Sequence, residues 1–178
     1  MCDFCGSRNI SPTRQRVFCA SLADWAEDRP ELIPWRNDFF ALTEETPNLI
    51  YLLLTKRTEN IRRLWPWTPT VERPNIWLGT SIENQDAADK RVLDLLLSVS
   101  GPKFLSCEPL LGPVDLTKLP LFDRKSTYNA LTGEEPIDPS TGLPGGAGPK
   151  IAWVIVGGES GPHARPMHPD WARSLRNQ

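Results

Sequence analysis

Short apolar runs, each followed at once by polar residues, recur along the chain. Residues 16–22 (RVFCASL), 50–54 (IYLLL), 75–80 (NIWLGT), 103–106 (KFLS) and 153–156 (WVIV) are rich in β-branched, leucine or aromatic residues and too short for buried helices. They read as buried strands. Helical spacing fills several of the intervals. Residues 30–46 place Leu32, Ile33, Trp35, Phe39, Phe40 and Leu42 at near-helical intervals, with Pro34 near the start and Pro47 at the end. Thr58 is placed to cap a short helix over 59–64. After Asn84, the residues Ala87, Ala88, Val92, Leu95, Leu96 and Val99 share one side of a helix that Gly101-Pro102 stops. His168-Pro169-Asp170 begins a last helix with Pro in its first turn. Strand-and-helix alternation of this kind predicts an α/β chain with a parallel sheet of right-handed βα units.

In such a sheet the carboxyl ends of all strands lie on one rim, where ligands bind. Every predicted unit puts charge or hydroxyl there: Ser21 and Asp24; Thr55, Lys56 and Arg57; Ser81, Glu83 and Asn84; Cys107 and Glu108; Glu159 and Ser160. Strands end in loops, so one polar residue at such a place means little. A full set predicts a site. Side chains alternate faces along a strand, so Gly79, Ser81 and Glu83 share a face, as do Phe104, Ser106 and Glu108. If those faces point inward, Glu83, Glu108 and Glu159 converge with Arg57 and Lys56. Grouped carboxylates need cations or a cationic ligand, so the rim suits a small molecule carrying both ammonium and carboxylate. Gly157 and Gly158 follow the last strand and are expected to let the backbone turn sharply and another group come close. Arg165 and His163, in the next loop, are within reach of the same ligand, although a lone His in a polar loop is commonly just exposed.

Composition narrows the partners. A length of 178 residues fits a single α/β domain over 1–178 with a real core. A net charge of −2 lacks the basic balance of a general nucleic-acid binder, so nucleic acid is possible but not indicated by charge. No apolar stretch approaches a membrane span, and no signal-peptide core opens the chain, which makes a cytoplasmic location the expectation. Four cysteines then read as reduced thiols or ligands. Cys2 and Cys5 form half of a metal site; the plainer reading is free thiols in a flexible segment over 1–15. Cys107 reads as a small core residue. Residues 123–150, rich in Gly, Pro, Ser and Thr, predict a long surface loop or insertion with no sheet or helix of its own.

Four stretches carry a resemblance: LLTKR (53–57), WLGTSIENQ (77–85), SCEPLLGP (106–113) and WVIVGGESGP (153–162). They resemble the phage-type proteins, common in prophages and bacteria, that are grouped with the radical S-adenosylmethionine superfamily. The likeness runs from about Arg16 to the end. It implies a partial (β/α) barrel with S-adenosylmethionine bound across the strand ends and a [4Fe-4S] cluster held by three cysteines near the first strand. The chain departs from that pattern: Cys2 and Cys5 supply no third cysteine at the needed spacing, and the barrel is expected to be incomplete at both ends. Catalysis by this chain alone is therefore not expected, and a ligand- or partner-binding barrel fragment is the alternative. Its open sheet edges would favour oligomers. In the likeness, Ser81 and Glu83 are candidates for polar cofactor contacts and Arg57 for pairing with a carboxylate through its planar fork.

Overall fold

The five apolar runs form one parallel sheet. The computed structural model describes residues 14–19, 23–121, 126–134 and 147–178. β1 (Arg16–Cys19), β2 (Ile50–Thr55), β3 (Ile76–Ser81) and β4 (Lys103–Cys107) lie side by side in chain order, and β7 (Trp153–Val156) joins β4 at the far side. Every neighbouring pair is parallel. The predicted strands stand within a residue or two of these bounds, while residues 20–22 and the segment with Cys2 and Cys5 lie outside the described residues. The sheet curls into a five-strand half-barrel.

One face of the sheet is packed by helices. Leu53, Leu78, Ile82, Leu105 and Cys107 point there and merge with Ala88, Val92, Leu95 and Leu96 of α3 (Gln85–Ser98) into the main core. Asn84 caps α3, its Oδ1 accepting from Ala87 N at 3.0 Å. The other end is closed from the next strand. Lys103, only 2% exposed, donates from Nζ to Val99 O at 2.7 Å and Gly101 O at 3.0 Å, satisfying carbonyls that a helix terminus leaves open. Burial pulls the Lys103 ammonium down to about 8, against a small upward pull from Glu72.

Three local expectations need correction. Thr58 caps nothing: the chain enters α2 (Ile61–Leu64) through a 3₁₀ turn over Thr58–Asn60, and Thr58 Oγ1 is buried without a partner. On α1 (Ile33–Glu45), helical spacing of apolar residues does not mean a buried face. Ile33, Trp35 and Leu42 are 51%, 76% and 45% exposed, and only Phe40 and Thr43 are buried; the inward ring contacts of α1 run through Phe39 and Phe40, which meet Tyr51, Trp25, Trp65 and Trp67. The stretch after Asp123 is not all surface. Two-residue strands β5 (Leu119–Pro120) and β6 (Thr127–Tyr128) pair antiparallel, and Tyr128 and Ala130 are buried in the core. Ala130 N donates to Leu116 O and Ile151 N to Ala130 O, which stitches this excursion back to the start of β7. α4 (Pro169–Asn177) begins as predicted, with His168 Nδ1 accepting from Asp170 N at 3.2 Å. Among the described residues no helix is long and apolar enough to cross a membrane.

Candidate ligand site at the strand ends

The concave face of the half-barrel is built in layers. Strand register sets Gly79 beside Phe104 and Phe104 beside Trp153, with Ser81 beside Ser106 one step higher and Ser106 beside Ile155. These side chains share the face turned away from the helices. Phe104 is fully buried and forms the floor. A Cβ on residue 79 would overlap the Phe104 ring, so glycine at 79 is what lets that ring lie across β3. Phe18 meets Phe104 edge to face at a centroid separation of 6.3 Å, and Trp153 tilts against it at 6.2 Å. In a flat sheet β1 and β4 would stand ~14 Å apart, at ~4.8 Å per strand. Direct contact between their side chains shows how tightly this face curls.

Above the floor the lining turns polar. Ser81 and Ser106 are 5% and 4% exposed, and neither hydroxyl carries a hydrogen bond among the described residues. The chain leaving β4 is pinned between the two adjoining strand ends. Leu111 N donates to Glu83 O at 2.7 Å, Leu110 N to Gly157 O at 2.9 Å, and Gly157 N to Cys107 O at 3.2 Å. These bonds set the Glu108 carboxylate directly over the Cα of Gly157, where an added Cβ would overlap Glu108 Oε1. Glu108 is exposed and has no cationic partner among the described residues.

The other predicted charges do not converge; they are sorted into local pairs. Arg57 directs its fork at Asp24 (Nη1 to Oδ2, 2.9 Å) and at Glu27 (3.7 Å). Asp24 also accepts from Thr55 Oγ1 at 2.5 Å, Lys56 N at 3.0 Å and Ala26 N at 3.0 Å. The loop after β1 is thus tied to the end of β2, and neither Thr55 nor Arg57 faces a ligand unengaged. Lys56 Nζ reaches Glu83 Oε1 at 2.5 Å, and Arg91 Nη1 holds Glu83 Oε2 at 3.0 Å. Burial works against the Glu83 charge. The hydrogen bond from Lys56 and the charges of Lys56 and Arg91 outweigh it, so the carboxyl sits below its usual range. Glu159 accepts from Arg165 Nε at 2.8 Å, Arg165 Nη2 at 2.6 Å and Arg165 N at 2.7 Å. These side-chain and backbone bonds bring its carboxyl down to about 2.

The glycine pair divides in function. Only Gly157 is crowded; a Cβ on Gly158 would meet Met167 Cβ at an ordinary 3.7 Å. The sharp turn comes later than expected, at Gly161 (φ 96°) and His163 (φ 64°). His163 is exposed. Cys107 is fully buried, and burial followed by the charges of Glu108 and Glu83 pushes its thiol up to about 12. Burial also raises Cys19. Among the described residues no cluster of three or more His, Cys, Asp and Glu is poised around a metal position.

Two contributors escape sequence reasoning. Arg91 clamps Glu83 and Ser81 O (2.7 Å) from α3. Its signal was legible, for it falls three residues after Ala88 and four before Leu95, on the buried stripe. The floor formed by Gly79 and Phe104 depends on register between strands, which single-strand alternation does not supply.

With this geometry in place, the comparisons with known proteins add one result. The chain belongs to the family described as "Protein of unknown function (DUF5131)", whose family model matches residues 7–178. No curated protein and no solved structure matches it.

Proposed function

We infer that this family member binds a small ligand bearing an ammonium group at the carboxyl ends of the strands, and that the ligand is S-adenosylmethionine or a compound of that kind. The observation that carries this reading is Glu108. It is the rim carboxylate left without a cation, held over a bare Cα, with the open hydroxyls of Ser81 and Ser106 on the same concave face. A charged amine would gain a charge-assisted bond there. Glu83 and Glu159 already have arginine or lysine partners, so their role is to shape the mouth. The likeness to radical S-adenosylmethionine proteins supports the choice of ligand. It also implies a [4Fe-4S] cluster, which requires several thiolates. Cys19 and Cys107 do not fit that need: they are two thiols, one fully buried, and belong to no cluster of three or more ligating side chains among the described residues. Cys2 and Cys5 lie outside the described residues.

Isothermal titration of the purified chain with S-adenosylmethionine tests the proposal. Saturable binding that Glu108→Gln weakens about tenfold or more is expected. Equal affinity of the two proteins, or no binding by the wild type, overturns it.

A second reading, a partner-binding half-barrel, draws on the sheet edges. Among the described residues β1 and β7 each pair on one side only, and unpaired edges invite strand addition. Light scattering across a hundredfold concentration range decides it: a concentration-independent monomer removes self-association through those edges.

A further inference from the structure

The amino-terminal end of the concave face carries a second arrangement, unrelated to the rim. Arg16 is the first residue of β1, and its guanidinium lies over two indoles, 5.6 Å from the Trp77 ring centroid and 5.2 Å from that of Trp153. The two indoles meet edge to face at 6.4 Å. Cation–π contact with two adjoining rings restrains the guanidinium. Its N–H edge stays unused: among the described residues Arg16 has no carboxylate in ion-pair reach and no hydrogen-bond acceptor. Arg16 is exposed, and Phe18, the next residue on the same face, is 43% exposed. A solvated arginine would ordinarily be mobile. This one rests on two indoles, its donors untaken by any described residue, beside an accessible aromatic ring.

We propose that Arg16, backed by Trp77 and Trp153, is an oxyanion-binding site that takes the carboxylate or phosphate of a small planar aromatic ligand, whose ring packs against Phe18. A planar fork matches either oxyanion through two parallel N–H···O bonds. The exposed phenyl ring selects aryl anions over inorganic ones. The plainer role, a strut that holds β1 against β7, needs neither the free donors nor the exposed Phe18.

Quenching of tryptophan fluorescence provides the assay, with phenyl phosphate, benzoate, inorganic phosphate and benzyl alcohol as probes. Expected is saturable quenching by phenyl phosphate or benzoate at least about tenfold tighter than by inorganic phosphate or benzyl alcohol, weakened by added salt. The tighter of the two aryl anions identifies the oxyanion. Arg16→Gln and Arg16→Met should each lower that affinity about tenfold or more, and Arg16→Lys should not restore it. Near-UV circular dichroism confirms that the variants fold; Arg16→Met keeps the length that packs on the indoles. Titration with S-adenosylmethionine should be unchanged in all three, which separates this site from the rim. No quenching by either aryl anion, or equal affinity in wild type and the folded Arg16→Met variant, overturns the proposal.

Discussion

Replacing Gly157 by alanine is a sharp probe of the rim. The new methyl group would overlap Glu108 Oε1 and come within 2.9 Å of Cδ and 3.0 Å of Cγ. The contacts with Oε1 and Cδ are closer than side chains tolerate, so the carboxylate must swing away. The clash is with the far end of an exposed, flexible side chain, and Gly157 does not have a positive φ that alanine would resist. The folded state therefore loses little, within about 0.5 kcal/mol as for other surface changes. The loss falls on binding. A hydrogen bond to a charged group contributes ~1.5–3 kcal/mol, so displacing Glu108 should weaken ligand affinity about 10- to 100-fold. Calorimetric titration with S-adenosylmethionine and a denaturant melt on the same sample read the two quantities. Combining Gly157→Ala with Glu108→Gln should add almost nothing, since both remove one contact. Full wild-type affinity in Gly157→Ala would refute the placement of the ammonium on Glu108. A stability loss of several kcal/mol would refute the claim that this glycine serves the site and not the fold.

Other expectations concern the fold around the site. Lys103 releases its proton near pH 8 in the folded chain but near 10.5 when unfolded, so the unfolded chain holds more protons between those values and stability rises with pH, by at most ~1.4 kcal/mol per unit. Cys107 opposes this from about pH 9 to about 12, because there the folded chain keeps the proton. Urea melts should thus show a gain from pH 8 to 9 that Lys103→Met lacks; parallel curves for the two proteins would contradict the buried ammonium. Gly79→Ala should cost ~1–3 kcal/mol by overpacking, and much less in a Phe104→Leu background, with simple additivity as the disproof. Carbon-detected NMR titration should place the Glu159 carboxyl near 2 and return it towards the ordinary range in Arg165→Ala; an unmoved midpoint would deny the bidentate pair.

Much of the architecture was legible because a strand buried on both faces leaves a continuous apolar signature, as at 50–54. The run at 153–156 carries the same signature although its residues are only half-buried. The strand-end rule also gathered the polar side chains of neighbouring strands on one rim. What it missed was how charge is partitioned there. Arg57 looks available in the sequence, yet its partner Asp24 arrives from a loop thirty-odd residues earlier. Such pairings depend on loop paths, and local pattern does not encode them. The apolar residues of α1 misled for a related reason: spacing reports a possible face, and burial requires a neighbour. Tyr128 and Ala130 were hidden by surroundings rich in Gly, Pro and Ser, since two buried residues make no period.

The sheet's order has a consequence in time. β4 finds its first neighbour in β3, already made, but its other neighbour, β7, lies about 50 residues further along the chain. At ~5–20 residues per second, a ribosome needs roughly 3–10 s to make that stretch. Throughout that interval β4 is an unprotected border of the nascent sheet. Ser106, Cys107 and Glu108 therefore stand without the strand that completes their surroundings until it has been made. A pause in translation between codons 108 and 153 would lengthen that exposure directly, so the coding sequence of the excursion bears on how much of this protein reaches its final form.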